Sequence, residues 1–432
     1  MPEGSSRQPE GNRPAVAGWP APWVFAILSL PLGVFSGVGL VPMPFLLAKT
    51  GVPVDVIARI GSITQLPTVF YFLWAPLVDI KLRRRSWLLL SALASAVCLW
   101  AAFPFFNPRH LRLLTALIFT GFAANMMVSA TMGGLMVTTL SLSGQSKASA
   151  WHQVGNLSGG ALGGAAVMWL VGRFSLHAAA VAAAVLTFVP ALIALTIPEP
   201  RPQPAAWFAG RLREIGREVW NVLRSRRGLW SVFLLAAPVG AGGASGLLPA
   251  IASHYGVGGA GVMWINGVAG GLMLALGSLA GALLPGDWDR RLTYAGAGMT
   301  NGLAAMVLLI ANRPGVYFAG TVLYLLTLGF CYARFTALVV DVLSASDKNA
   351  STRYSLFVSI GNAPIAYMLW LDGVGYHHFG THGLLWTDAG GNLVVFAIVA
   401  VVFVALGLSL HLPAPAGRPV AASPAPKSRD PL

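Results

Sequence analysis

Charge is scarce in this chain of 432 residues. Asp, Glu, Lys and Arg together make up 10% of it, and only 14 residues are acidic. A water-soluble domain carries about 25% charged residues, so this balance excludes an ordinary soluble fold. Cysteine is nearly absent, and Cys98 and Cys331 both sit inside apolar runs. Two such residues support neither a disulfide framework nor a thiolate metal site. The sequence also lacks HExxH, lacks GxSxG and shows no paired acids in the middle of an apolar run. An intramembrane enzyme would need a catalytic set of that kind. His377, His378 and His382 share one polar interval without acidic partners, which reads as a solvated loop rather than a metal centre. No cofactor is called for. A cleavable leader is not apparent, since residues 1–20 are polar and the first apolar run exceeds a signal h-region.

What is abundant is apolar. Hydrophobic residues make up 56% of the chain, with 50 Gly and 29 Pro, and the mean hydropathy is +0.70. A bilayer-crossing helix needs about 20 apolar residues. Runs of that size lie at roughly 22–47, 54–79, 86–106, 111–142, 150–172 and 176–197. They resume at roughly 229–252, 259–285, 291–312, 314–343, 353–375 and 390–411. The pattern predicts an all-α membrane protein with about 12 transmembrane helices, in six-helix bundles at 21–198 and 229–411. Residues 1–20 and 412–432 read as disordered cytoplasmic tails. Between the bundles, 199–228 reads as a cytoplasmic linker. In it Phe208, Leu212, Ile215, Val219 and Val222 recur at helical spacing, which predicts an amphipathic helix on the membrane face.

The net charge of +14 does not point to nucleic acid, because the bases lie in short intervals between apolar runs. With the N-terminus inside, 21 of the 28 Lys and Arg residues fall on the inner side and 6 outside, leaving Arg334 within a span. The positive-inside rule therefore predicts both termini in the cytoplasm of an inner-membrane protein.

The loop after the second run reads Trp74-Ala-Pro-Leu-Val-Asp79-Ile-Lys-Leu-Arg-Arg84-Arg85-Ser-Trp87. It resembles the loop 2–3 signature of the major facilitator superfamily, with Ala75, Ile80 and Leu82 replacing that pattern's Gly, Arg and Gly. Gly33-Val-Phe-Ser-Gly37, Tyr71-Phe-Leu-Trp-Ala-Pro-Leu-Val-Asp79 and Thr352-Arg-Tyr-Ser-Leu-Phe-Val-Ser look like the AmpG-type muropeptide permease and acetyl-CoA transporter group. Where those permeases carry aspartates in helix 4, this chain reads Ala124-Asn125-Met-Met-Val-Ser129. The resemblance implies a proton-coupled, alternating-access transporter, and a muropeptide or a siderophore is an example of its solute. A receptor on the same fold is the alternative from another functional class.

Individual residues receive roles within that frame. Asp79, Arg84 and Arg85 form a candidate conformational latch, since charge-assisted hydrogen bonds can tie neighbouring helices in one state. Gln65, Asn125 and Asn362 fall near the middle of their runs and suggest a polar central cavity. Arg334 is the one base deep in a span. Its side chain is expected to lean toward the bilayer centre. Its fork suits a carboxylate or phosphate, so it predicts an anionic small-molecule substrate. Asp341 and Asp372 are candidate coupling groups near span ends. Gly155-xxx-Gly159-xxx-Gly163, Gly160-xxx-Gly164, Gly267-xxx-Gly271 and Gly277-xxx-Gly281 predict close helix packing between the two halves. A monomer in the lipid bilayer is expected.

Overall fold

In hydrocarbon every backbone N–H and C=O needs an internal partner, so the apolar runs fold as helices. The computed structural model describes residues 19–74, 77–79, 82–198, 210, 213, 216–217, 219–220, 224, 226–285, 287–342, 350–407 and 410. Its elements in chain order begin with α1 (Val24–Lys49), α2 (Val54–Leu73), α3 (Arg84–Phe105) and α4 (Pro108–Thr139). They continue with α5 (Leu142–Arg173) and α6 (Leu176–Thr196). The second half starts with α7 (226–255), followed by α8 (Gly259–Ala282), α9 (Arg290–Val307) and α10 (Pro314–Val342). One further stretch, Ala350–Ala405, is broken at Phe379 and Gly380, where φ at Gly380 is +60°. It divides into α11 (350–378) and α12 (381–405). Among the described residues, nine helices are long and apolar enough to cross a membrane, the broken stretch counting as one.

The break reverses the chain. A Cβ on Gly383 would collide with the Gly375 carbonyl, and one on Gly391 would lie 3.2 Å from the Met368 methyl, so α11 and α12 run antiparallel in contact. The sequence reading leaves 376–389 as a loop and starts the last span near 390. Helix in fact runs to His378 and resumes at Thr381. The histidines lie in the end turns of two helices rather than in a loop, and the glycine supplies the positive φ that a two-residue reversal needs.

The expected amphipathic linker helix falls mostly on residues outside those described. The described members Gly210, Arg213, Gly216, Arg217, Val219, Trp220 and Arg224 are helical.

The glycine spacings do bring helices together, but only one of them joins the two halves as expected. Those of α5 face α1, where a Cβ on Gly33 would collide with the Asn156 carbonyl and lie 2.8 Å from the Gly160 nitrogen. Backbones meet directly there. In α8, Gly267 and Gly271 face Ala165 and Ala161 of α5, whereas Gly277 and Gly281 face α10. Only the first α8 pair therefore lies between the halves. The other seam between halves joins α2 to α11. Gly373 seats on Ala58, Leu369 on Gly61, the Asn362 amide donates to the Thr68 carbonyl at 3.2 Å, and the Phe72 N–H donates to Ser359 at 3.2 Å. His377 Nδ1 lies 3.2 Å from Asp55 Oδ2 at the far end of the same seam.

Candidate functional site

A small cavity lies where the halves meet. Phe35, Ser36, Gly39 and Leu40 of α1 wall it with Ile57, Gly61, Thr64 and Gln65 of α2 and with Ile118 and Phe122 of α4. Gly246 of α7 and Leu369 of α11 close it from the other half. The Phe35 and Phe122 rings stack at 5.6 Å on one side. Its volume is about 30 Å³, room for a water or two. An organic solute cannot enter without a rearrangement, so this conformer is closed around its centre.

Behind the Gly246 and Leu369 wall, α7 loses its helix. Arg226–Ala236 is helical, Ala237–Gly243 is irregular, and helical turns resume at Ala244. Pro238, with no N–H, and the positive φ of Gly240 (56°) and Gly242 (69°) explain the interruption. Freed backbone groups inside a membrane need partners, and side chains supply them. The Gly240 N–H donates to Asn392 Oδ1 at 2.8 Å and the Ala244 N–H to Asp388 Oδ1 at 3.3 Å. The Tyr294 hydroxyl donates to the Val239 carbonyl at 3.1 Å and Tyr367 to the Ala236 carbonyl at 2.6 Å.

Two acids sit at this break. Asp388 of α12 lies 3.0 Å by either oxygen from the Tyr324 hydroxyl of α10. Asp372 of α11 faces Gly243, where an added Cβ would collide with its Oδ2. Asp372, Asp388, Asn392 and Tyr324 are all essentially inaccessible to solvent. Asp372 has no hydrogen-bond partner at either oxygen among the described residues.

A sequence model for the Major Facilitator Superfamily matches residues 23–369. The chain belongs to the major facilitator superfamily. It is thus a multi-pass membrane transporter rather than an enzyme. Three solved transporter structures superpose on it. The nucleoside transporter NupG is 14% identical with a TM-score of 0.68, covering 88% of this chain and 98% of its own. The peptide transporter POT, in a mutant form complexed with sulfate, is 14% identical with a TM-score of 0.67, covering 89% and 94%. A bacterial homologue of the human lysosomal transporter Spinster is 13% identical with a TM-score of 0.63, covering 89% and 95%. At these identities the likeness is one of fold. No curated protein matches the sequence.

In this superfamily member the singled-out residues are dispersed. Gln65 lines the cavity. Asn125 is buried and donates to the Leu32 carbonyl at 3.3 Å, tying α4 to α1. Asn362 joins α11 to α2. Arg334 does not line the cavity. Its guanidinium donates to Thr293 Oγ1 at 2.8 Å and to the Gly281 carbonyl at 3.3 Å, level with the first turn of α9. Its acceptors belong to the end of α8 and the start of α9. Arg84 donates to the Gly134 carbonyl of α4 at 3.2 Å. Arg85 lies beside it in the first turn of α3. Asp79 ends a short 3₁₀ turn, Leu77–Asp79, and its side chain lies outside the described set. Asp341 is exposed near the end of α10, on the side of Arg291, whereas Asp372 is buried.

The sequence reading missed Asp388, and with it the pairing of two acids inside the spans. The polar stretch from His377 to Asp388 hid it. Two signals were available: Pro238, Gly240, Gly242 and Gly243 clustered in one span, and Asp388 and Asn392 one helical turn apart.

Proposed function

We propose that this chain is a secondary-active solute transporter working by alternating access, with the cavity between its halves as the substrate site. The wall composition supports this reading, since α1, α2 and α4 of one half and α7 and α11 of the other would grip one solute together. The elements α1–α12 make twelve crossings. The end bearing Arg84, Arg85, Arg290 and Arg291, with both termini, faces the cytoplasm of an inner-membrane monomer. Its partners are lipid and a small solute.

The chemistry of that solute follows from the wall. Ser36, Thr64 and Gln65 are its polar side chains, and among the described residues no charged one lines it. A carboxylate or phosphate buried there would lack a counter-charge. An uncharged organic solute with a few hydrogen-bonding groups fits better than the anionic muropeptide or siderophore that Arg334 suggests. The test is uptake by proteoliposomes holding the purified chain, under an imposed pH gradient, with uncharged and anionic solutes side by side. Gln65→Ala should weaken uptake of an uncharged solute while leaving protein yield unchanged. Uptake confined to anions, and abolished by Arg334→Ala at normal yield, would return the site to Arg334.

A further inference from the structure

We infer that Asp372 and Asp388 form a proton-binding site at the break in α7, one helical turn behind the substrate cavity. It rests on the transport reading only in calling that proton the coupling ion. The two acids reach the same depth because the chain reverses between them: Asp372 lies seven residues before Phe379 and Asp388 eight after Gly380. At 1.5 Å per residue both are roughly 10–12 Å from that end.

The two carboxyls are held differently. Asp388 only accepts, from the Tyr324 hydroxyl and the Ala244 N–H, as a carboxylate does. Asp372 is fully buried with both oxygens unpartnered among the described residues, and it points at the unwound backbone at Gly243. An ionised carboxylate buried without donors is strongly disfavoured, and more so with a second one beside it. The group therefore keeps its proton in this conformer. Among the described residues neither Asp372 oxygen has a partner that would balance its charge. Tyr324 of α10 stands against Asp388 with the Cys331 thiol near it, and Tyr294 of α9 and Tyr367 of α11 donate to α7 carbonyls at the same break. From α2 the Asp55 backbone approaches beside Gly373, and its carboxylate pairs with His377. None of these is a base that could pair with Asp372.

The position links the proton to the solute. Gly246 and Leu369 line the cavity, while Gly243 and Asp372 stand three residues away on the same two elements. A solute that pushes on Gly246 moves the backbone that seals Asp372. When the outer part of α7 lifts, water reaches the carboxyl and its proton leaves; when α7 reseats, one proton is bound again. No covalent step is involved.

Infrared spectroscopy of the purified full chain in phosphatidylcholine vesicles reads this without any substrate. At neutral pH the wild type should show a carbonyl stretch of a buried, protonated carboxyl. Asp372→Asn should remove it, and Asp388→Asn should leave it in place. Tyr324→Phe keeps both acids but takes the donor from Asp388, which should roughly double the amplitude as one protonated carboxyl becomes two. Absence of the band from the wild type, or its persistence in Asp372→Asn, overturns the assignment. So does its loss on adding sodium chloride at constant pH, which would make the site one for sodium. Failure of the solute screen bears on the transport reading alone, because the band needs no solute.

Discussion

The seam between α1 and α5 and the break in α7 solve the same problem, how to pack helices in a medium that offers no hydrogen bonds, in opposite ways. At the first, Gly33, Gly155, Gly159 and Gly160 remove side chains so that two intact backbones touch. Among the described residues no backbone hydrogen bond crosses this seam, and close packing is joined there by one side-chain contact, Ser29 Oγ to His152 Nδ1 at 2.7 Å. At the second, glycines open the backbone instead, and Asn392, Asp388, Tyr294 and Tyr367 replace the lost ladder. A close-packed seam has one arrangement. A backbone satisfied by side chains can exchange them for water, so it has two. The close-packed contact lies inside the first half and the opened backbone inside the second, directly behind Gly246 and Leu369 of the cavity wall.

The comparison breaks most severely at the seam. Gly33→Val has no room, with the Gly160 nitrogen 2.8 Å from the first added carbon. Overpacking of a core usually costs about 1–3 kcal/mol, and collision with backbone puts this case at or above the top of that range. Thermal unfolding followed by size-exclusion chromatography should show a large fall in the midpoint or no folded protein. An unchanged midpoint would mean that the seam is looser than its geometry. Asn392→Ala is the matching change at the break. It strands the Gly240 N–H, worth about 1–3 kcal/mol if the group stays buried. Hydrogen exchange should rise at 237–243 and not in α1 or α5. Equal acceleration in both halves would show that the break is not an independent unit.

The smallest effect is expected outside the spans, at the start of α9. Burial opposes ionisation of Asp289, but its ion pair with Arg291 at 2.6 Å and the N–H groups of Arg291 and Leu292 outweigh this and hold its carboxyl below the usual range. A lowered folded value means the contribution is present above the ordinary aspartate range, about pH 4, and is lost as pH falls through the folded value. Arg291 is half exposed, so the pair is weak. Asp289→Asn should lower the thermal midpoint slightly at neutral pH, and the gap to wild type should close in acid. A gap that widened in acid would reverse the sign of this linkage.

Much of this architecture is legible in the sequence. Long apolar runs leave a chain no alternative to helices, and their order and spacing lead to the superfamily fold. Gln65, singled out by its place in the run, lines the cavity. What linear position does not give is direction. Linear position says how deep Asn125 and Arg334 lie, but not that the Leu32 carbonyl and Thr293 stand nearer than any solute. The glycine stripe of α5 is visible, yet nothing in it names α1 rather than α8 as its partner. The turn at Phe379–Gly380 is so short, and so flanked by histidines, that two helix ends resemble one loop. Asp388 is lost in that resemblance.

A centre that holds only a water or two has a consequence for how its ligands will look on the bench. If this cavity is the substrate site, a solute binds only molecules whose walls have parted, and its measured dissociation constant is the intrinsic one divided by the fraction that is open. If about one molecule in a hundred were open, binding would look about a hundred-fold weaker than the contacts warrant. A screen on the resting protein will therefore rank solutes faintly, and the right one can be passed over. A fragment that props Leu369 away from Gly61, without touching the solute itself, would sharpen every affinity in the series by the same factor.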